Sequence, residues 1–343
     1  MTPTVALLLP CHDEAEHLPP LLEALLAQLE AAPTWRVVAV DDSSTDATGG
    51  ILDGAAAGCP QLTPLAPGSR HQREKLAVLS AFWPQALLAV PGFDATPALA
   101  ALVRHAAIEH PDAWGWNGES AEARRLGTAV HGDGRIEQTA PGRFGLGDEV
   151  ARCLHGLPPA WRLAGLLSLA FAEDFVVVDG RDAALPWLAV ALPSHWAPEQ
   201  KVGRHFGEIR APVADSEWLR GDGESLMRLI SGGERWERFA WNVTDQPRLH
   251  AHPARVDARR WQHTAVADAW WRTERQTFIP VPEATQAVLT IHVEVQRLAE
   301  AIDTSERAAA LHAAVVSMSD AELDFRGLSP VRDPLLAWLA ARR

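Results

Sequence analysis

The residues able to do chemistry fall in two stretches. Near the start, Cys11-His12-Asp13-Glu14 and Asp41-Asp42-Ser43-Ser44 each follow a short apolar run. Carboxylates placed there accept hydrogen bonds from hydroxyl and N–H groups and attract hard cations. Far along the chain come Lys201, His205 and Arg210, then Arg238 and Asn242 inside the aromatic run ERFAWNV, then Arg272, Glu274 and Arg275. Polar groups in an apolar run need partners, so Arg238 and Asn242 either touch a ligand or staple a sheet. Glu274 and Arg275 are adjacent on an expected strand and must point to opposite faces. Arg272 and Glu274 share a face, where a structural ion pair is expected. His250-Ala251-His252 sets two imidazoles on one strand face, but Pro253 points to a loop and no third metal ligand stands at a familiar spacing. The chain has no tyrosine, so proton transfer falls to His, Asp, Glu, Lys or Arg.

Two kinds of scaffold must position these groups. The first 60 residues read as β-α-β-α: apolar runs Val5–Leu9 and Val37–Val40 as buried parallel strands, a leucine stripe from Leu18 to Leu29 as a helix, and Thr48–Ala57 as a second helix. A parallel sheet puts its ligands beyond the strand C-termini, where both acidic stretches fall. Residues 70–170 read as helices and loops. From Asp174 the pattern turns antiparallel, with a hairpin over Phe175–Val178 and Pro186–Leu192, a short helix over Pro198–Phe206, and strands at Arg238–Val243, Arg275–Ile279 and Ala287–Val295. The last alternates, with Ala287, Leu289, Ile291, Val293 and Val295 on one face and Thr290, His292 and Glu294 on the other. The fold class is therefore α+β, with a five-stranded antiparallel sheet and flanking helices. Ser319 with Glu322 forms a capping box, and Asp333-Pro334 opens the last helix. The Pro- and Gly-rich stretch 58–69 reads as the seam between domains 1–60 and 61–343.

Composition limits the function. Of the net charge of −13, −8 sits in residues 1–58, which argues against nucleic acid or an anionic membrane as partner. Three scattered cysteines make no disulfide framework and no CxxC zinc site. No apolar run reaches a membrane span, and Val5–Leu9 is too short for a secretory signal, so a cytoplasmic protein is expected. Fourteen tryptophans suit the walls of a flat cofactor pocket and equally suit an ordinary core.

The N-terminal segment, VALLLPCHDEAEHLPPLLEAL…VVAVDDSSTDAT, resembles the opening of a family 2 glycosyltransferase over about 60 residues. That resemblance implies a GT-A/Rossmann-like βαβα piece in which Asp13, Asp41 and Asp42 hold the base and ribose of a nucleotide sugar with a divalent cation. The stretch LLAVPGFDATP, where such an enzyme carries paired metal-binding acids, offers only Asp94. A half-domain that packs without catalysing is the other reading.

The remainder, from about residue 61, resembles the alpha subunit of the haem-dependent oxidative N-demethylases. The matching pieces are PS-x-W at Pro193–Trp196, K-x-G at Lys201–Gly203, Pro212-Val213, ERF-x-WN at Glu237–Asn242 and RTERQT at Arg272–Thr277. The resemblance implies a PAS-like sheet holding haem b, a small methylated amine and O2 as substrates, and electrons from a separate flavin or iron–sulfur reductase, since no GxGxxG or cysteine cluster is present to house one. It implies haem-site roles for Lys201, Trp196, Arg210 and Arg238, and catalytic roles for Glu274, Arg275 and Asn242. Arg210 stands where the family has a histidine. A guanidinium stays protonated and suits a propionate rather than iron, so His205 is the nearest substitute ligand, or else a surface histidine. Where this chain has His292 the family tends to have arginine. A non-catalytic haem or small-molecule sensor is the further alternative.

Overall fold

A computed structural model describes residues 5–31, 35–41, 46–48, 60–206, 237–257 and 259–342. The chain divides into two compact units, Met1–Gln61 and Leu62–Arg343.

In the first unit, β1 (Val5–Cys11) and β2 (Trp35–Asp41) pair in parallel on either side of α1 (Leu18–Ala31). The register sets Cys11 opposite Asp41, so both acidic stretches leave the sheet at the same edge. The second helix expected at Thr48–Ala57 lies, after Thr48, outside the described residues.

The second unit opens with α2 (Arg70–Ala86), capped by Ser69, whose side chain accepts from Gln72 N. Pro84 removes a helical donor, and the helix kinks at Phe82 (φ −139°) before running into β3 (Leu87–Ala89). Next come α3 (Thr96–Glu109), then β4 (Trp114–Trp116), β5 (Ser120–Ala123), β6 (Thr128–His131) and β7 (Ile136–Gln138), an antiparallel meander of four short strands. This sheet corrects the expectation of helices and loops alone over 70–170. Gly127, at φ +58°, turns the chain into β6; a Cβ there would meet the Ala140 carbonyl oxygen. Helices α4 (Glu149–His155) and α5 (Arg162–Ala170) follow.

The main sheet has six strands rather than five. Its members are β8 (Asp174–Asp179), β9 (Ala184–Ala189), β10 (Glu237–Thr244), β11 (Trp270–Val281), β12 (Gln286–Arg297) and the early β3, in the order β10-β11-β12-β8-β9-β3, antiparallel throughout. Its centre is dry: Phe175, Leu188, Phe278, Val288 and Val293 are among its buried residues. The chain ends in α6 (Leu298–Ala301), α7 (Ser305–Ser317), α8 (Asp320–Arg326), whose cap Ser319 accepts from Glu322 N, and α9 (Arg332–Ala340). Among the described residues no helix is long and apolar enough to cross a membrane.

Candidate functional site

Register across β10, β11 and β12 sorts the polar residues by face. Arg238, Asn242, Arg272, Glu274 and Gln276 share one face; Arg275, His292 and Glu294 share the other. On the first face Arg238 Nε donates to Gln276 Oε1 (2.8 Å), and Gln276 Nε2 donates to Glu274 Oε2 (2.7 Å). Lys201 reaches the same charge. Its Nζ lies 4.5 Å from the centre of the Trp196 ring, and Glu274 opposes the effect of its burial. Burial pushes the Lys201 ammonium down to about 8 and the Arg238 guanidinium down to about 10, each partly offset by Glu274. Four of the residues picked from sequence, Lys201, Trp196, Arg238 and Glu274, therefore converge.

Local structure explains how Lys201 gets there. The expected helix Pro198–Phe206 is a single turn, Pro198–Gln200, ended by Gly203 at φ +76°. Beyond it the chain runs extended along the start of β9: Leu185 N donates to the Arg204 carbonyl and Phe206 N to the Ala183 carbonyl, and Phe206 meets Phe278 edge-on. His205 sits on that extended piece, exposed and bridged to Ala184, not on a helix.

The other predicted residues go elsewhere. Arg275 pairs with Glu237 on the opposite face. Asn242 donates to the Arg326 carbonyl at the end of α8, tying the sheet to the terminal helices. Arg272, fully buried, makes no ion pair with Glu274. It donates to Ser194 Oγ (2.7 Å) and to the carbonyls of Leu192, Pro193, Arg248 and Leu249. It is thus a clamp on the loops after β9 and β10, which corrects the expected ion pair. His250 and His252 stack at 6.1 Å; His250 Nδ1 meets the Ala191 carbonyl and His252 Nε2 meets Glu199. Arg210 lies outside the described residues.

In the first unit Asp13 takes a left-handed backbone (φ 52°) and its Oδ1 accepts from Asp46 N. Asp46 returns the contact, accepting from Thr48 N (2.9 Å) and Ala15 N (3.0 Å); Thr48, its side chain foremost, holds the Asp46 carboxyl below the usual range. Asp46, not singled out from sequence, is what ties the two acidic loops together. Asp41 ends β2, and Asp42 lies outside the described residues. Asp94, one residue before the N-cap Ala95, accepts from Thr96 N (2.9 Å) in the turn that leads into α3.

Two buried networks were missed. Lys75, on α2, is wholly buried; it donates to the carbonyls of Phe171 and Glu173 and pairs with Asp174 at 3.1 Å. Around His292, Glu173 lies 3.3 Å from Nδ1 and Glu294 3.1 Å from Nε2, and the two carboxylates outweigh burial to lift the imidazole to about 9. The His71 ring stands edge-on to it at 5.4 Å. Only the Thr290-His292-Glu294 alternation signalled any of this from sequence.

Comparison with known families gives two matches. The family described as haem-dependent oxidative N-demethylase, alpha subunit-like, matches residues 159–336, which hold β8 to β12 with Lys201, Arg238 and Glu274. The glycosyl transferase family 2 matches residues 6–71, covering β1, α1 and β2.

Proposed function

Because the chain belongs to the haem-dependent oxidative N-demethylase alpha subunit-like family, we propose that residues 61–343 bind haem b on a PAS-like sheet and oxidatively demethylate a small methylated amine. The observation that carries this reading is the setting of Lys201. Its ammonium is half-buried against Trp196 and has no carboxylate within ion-pair distance among the described residues. It belongs to the same cluster as Arg238 and Glu274. Among the described residues such a group is one half of a charge-assisted pair.

Those residues fit the carboxylate end of a haem. Lys201 and Arg238 would hold the propionates, and Trp196 would wall the flat ring. His205, exposed and four positions after Lys201, is the imidazole this reading assigns to the iron. Haem, when bound, supplies oxidation of an N-methyl group by O2, with electrons from a separate flavin or iron–sulfur reductase; formaldehyde and the demethylated amine leave. Glu274 would attract the ammonium form of the amine. Arg275, on the far face, and Asn242, held by α8, take no part.

Titration of the full chain with haem tests this. The expected result is one Soret band per chain that shifts on dithionite reduction and with carbon monoxide. Lys201→Met and Arg238→Met should weaken binding of iron-free protoporphyrin, which reports the propionate end alone. His205→Ala should alter the iron spectrum while protoporphyrin binding persists. No Soret band at saturating haem discards the reading. Haem bound without amine turnover leaves the sensor alternative.

A second reading concerns the first unit. The Cys11–Asp41 register and the 6–71 match favour nucleotide-sugar binding at Asp13, Asp41 and Asp42 with a divalent cation. Calorimetry with a nucleotide sugar and Mn2+ tests it; heat that is the same in Asp13→Asn and Asp42→Asn, or absent altogether, discards it.

A further inference from the structure

The far face of the sheet carries a cluster that the demethylase reading does not use. His71 stands in the first turn of α2, and His292 and Glu294 project side by side from β12. Each offers one ligand atom, and all three atoms lie within 4.8 Å of one another. His292 Nε2 and Glu294 Oε1 are 3.1 Å apart, and His71 Nε2 is 3.9 Å from the same oxygen. A tetrahedral zinc site with bonds near 2.0–2.1 Å sets its donors roughly 3.3 Å apart, so small side-chain rotations close the set.

From this geometry we infer that His71, His292 and Glu294 bind a divalent transition cation of the zinc class. Two further features support it. Glu173, wholly buried, sits behind His292 at 3.3 Å from Nδ1, and Thr63 Oγ1 lies 3.4 Å from the same nitrogen. A carboxylate at the nitrogen away from the ion fixes the tautomer and ring plane of a metal-bound histidine and strengthens its donation. Glu173 is itself fixed, accepting from Thr63 N at 2.9 Å. The second feature is graded access. His292 is buried, His71 half-buried and Glu294 exposed, so an ion can enter from solvent and keep a water in a fourth position. Imidazole and carboxylate together suit zinc, cobalt and nickel better than calcium or magnesium.

The site has local competitors. His71 Nε2 is 2.7 Å from the Val293 carbonyl, a contact that an ion on that nitrogen must replace. Arg275, which faces His292 across the strand pair, is committed to Glu237. Burial favours the neutral form of His71, as a ligand must be, whereas His292 is held protonated by Glu173 and Glu294, and the ion must displace its Nε2 proton.

The full chain, stripped with a chelator and dialysed, is titrated with Co2+ and separately with Zn2+. The expected result is one equivalent bound, visible ligand-field bands of a four- or five-coordinate cobalt site, and displacement of that cobalt by Zn2+. His71→Ala and Glu294→Gln should each weaken binding by at least about tenfold, on the scale of a lost ligand-shell contact. Glu294 is exposed, so its variant folds even where a change at His71 disturbs α2. Binding well below one equivalent overturns the proposal. So does binding that survives unchanged in both variants, whichever histidines then hold the ion. The readout needs no haem and no turnover, so its failure is separate from that of the demethylase reading.

Discussion

Glu274 and Arg275 are consecutive in the chain and serve opposite faces of one sheet. Glu274 accepts from Gln276 within the Lys201–Arg238 cluster, while Arg275 closes an ion pair with Glu237 beside the His292 network. Strand alternation is the cause, and it separates two adjacent charges into two different sites. Glu274→Gln removes the one carboxylate, among the described residues, that offsets the burial of both cations. It should tighten binding of protoporphyrin several-fold, on the order of 1 kcal/mol for a charge partly screened by solvent. Arg275→Gln should leave that affinity unchanged. Fluorescence titration of both variants checks the contrast, and equal effects would place the anion site elsewhere.

Lys201 gives the cluster a pH dependence. Its folded value of about 8 is below the ordinary 10.5. Between those values the unfolded chain holds the extra proton, so stability rises with pH across this window and the penalty is complete below about 8. Affinity for a bound anion runs the other way and falls as the ammonium deprotonates above about 8. Porphyrin titrations from about pH 7 to about pH 9, below the Arg238 value, should show that fall in the parent chain and a flat response in Lys201→Gln.

Much of this arrangement was legible in the sequence, and the exceptions have physical reasons. β12 follows from strict alternation, and the β8–β9 hairpin follows from two short apolar runs on either side of a polar turn. The four-stranded meander does not, because strands of three or four residues such as Trp114–Trp116 are too short to display a period. β3 hides at the end of a kinked helix. Pro198 correctly signals the first turn of a helix, but Gly203 ends it after one turn. Lys201, Arg238 and Glu274 could be picked by type and spacing. Glu173, Lys75 and His71 could not, since their partners lie about 100 to 220 positions away or are backbone carbonyls.

Arg272 should matter for stability rather than for ligand binding. Four carbonyls and Ser194 Oγ accept from its single guanidinium, and the residue is 1% exposed. Arg272→Leu takes this donor from the Leu192, Arg248 and Leu249 carbonyls, while Pro193 O keeps its bond from Ala251 N, a loss of about 2–4 kcal/mol even after relief of the buried charge. Arg272→Lys should recover only part, because one ammonium cannot span the fan of acceptors that a planar fork reaches. Urea unfolding of both variants measures the difference; a lysine variant as stable as the parent would show that charge, not fork geometry, holds the loops.

The Lys75–Asp174 pair offers the sharpest energetic test. Both side chains are buried, and Asp174 also accepts from Leu192 N at 2.7 Å, so the carboxylate anchors β8 to the chain leaving β9. Lys75→Met strands that charge in the core and removes the donor to the Phe171 and Glu173 carbonyls. The expected cost is about 3–5 kcal/mol, the range for breaking one side of a buried pair. Asp174→Asn added to Lys75→Met removes the stranded charge while an amide oxygen still accepts from Leu192 N. The double variant should therefore be more stable than Lys75→Met alone. Equal stability of the single and double variants would show that the carbonyl contacts of Lys75, rather than its charge pairing, hold α2 against the sheet.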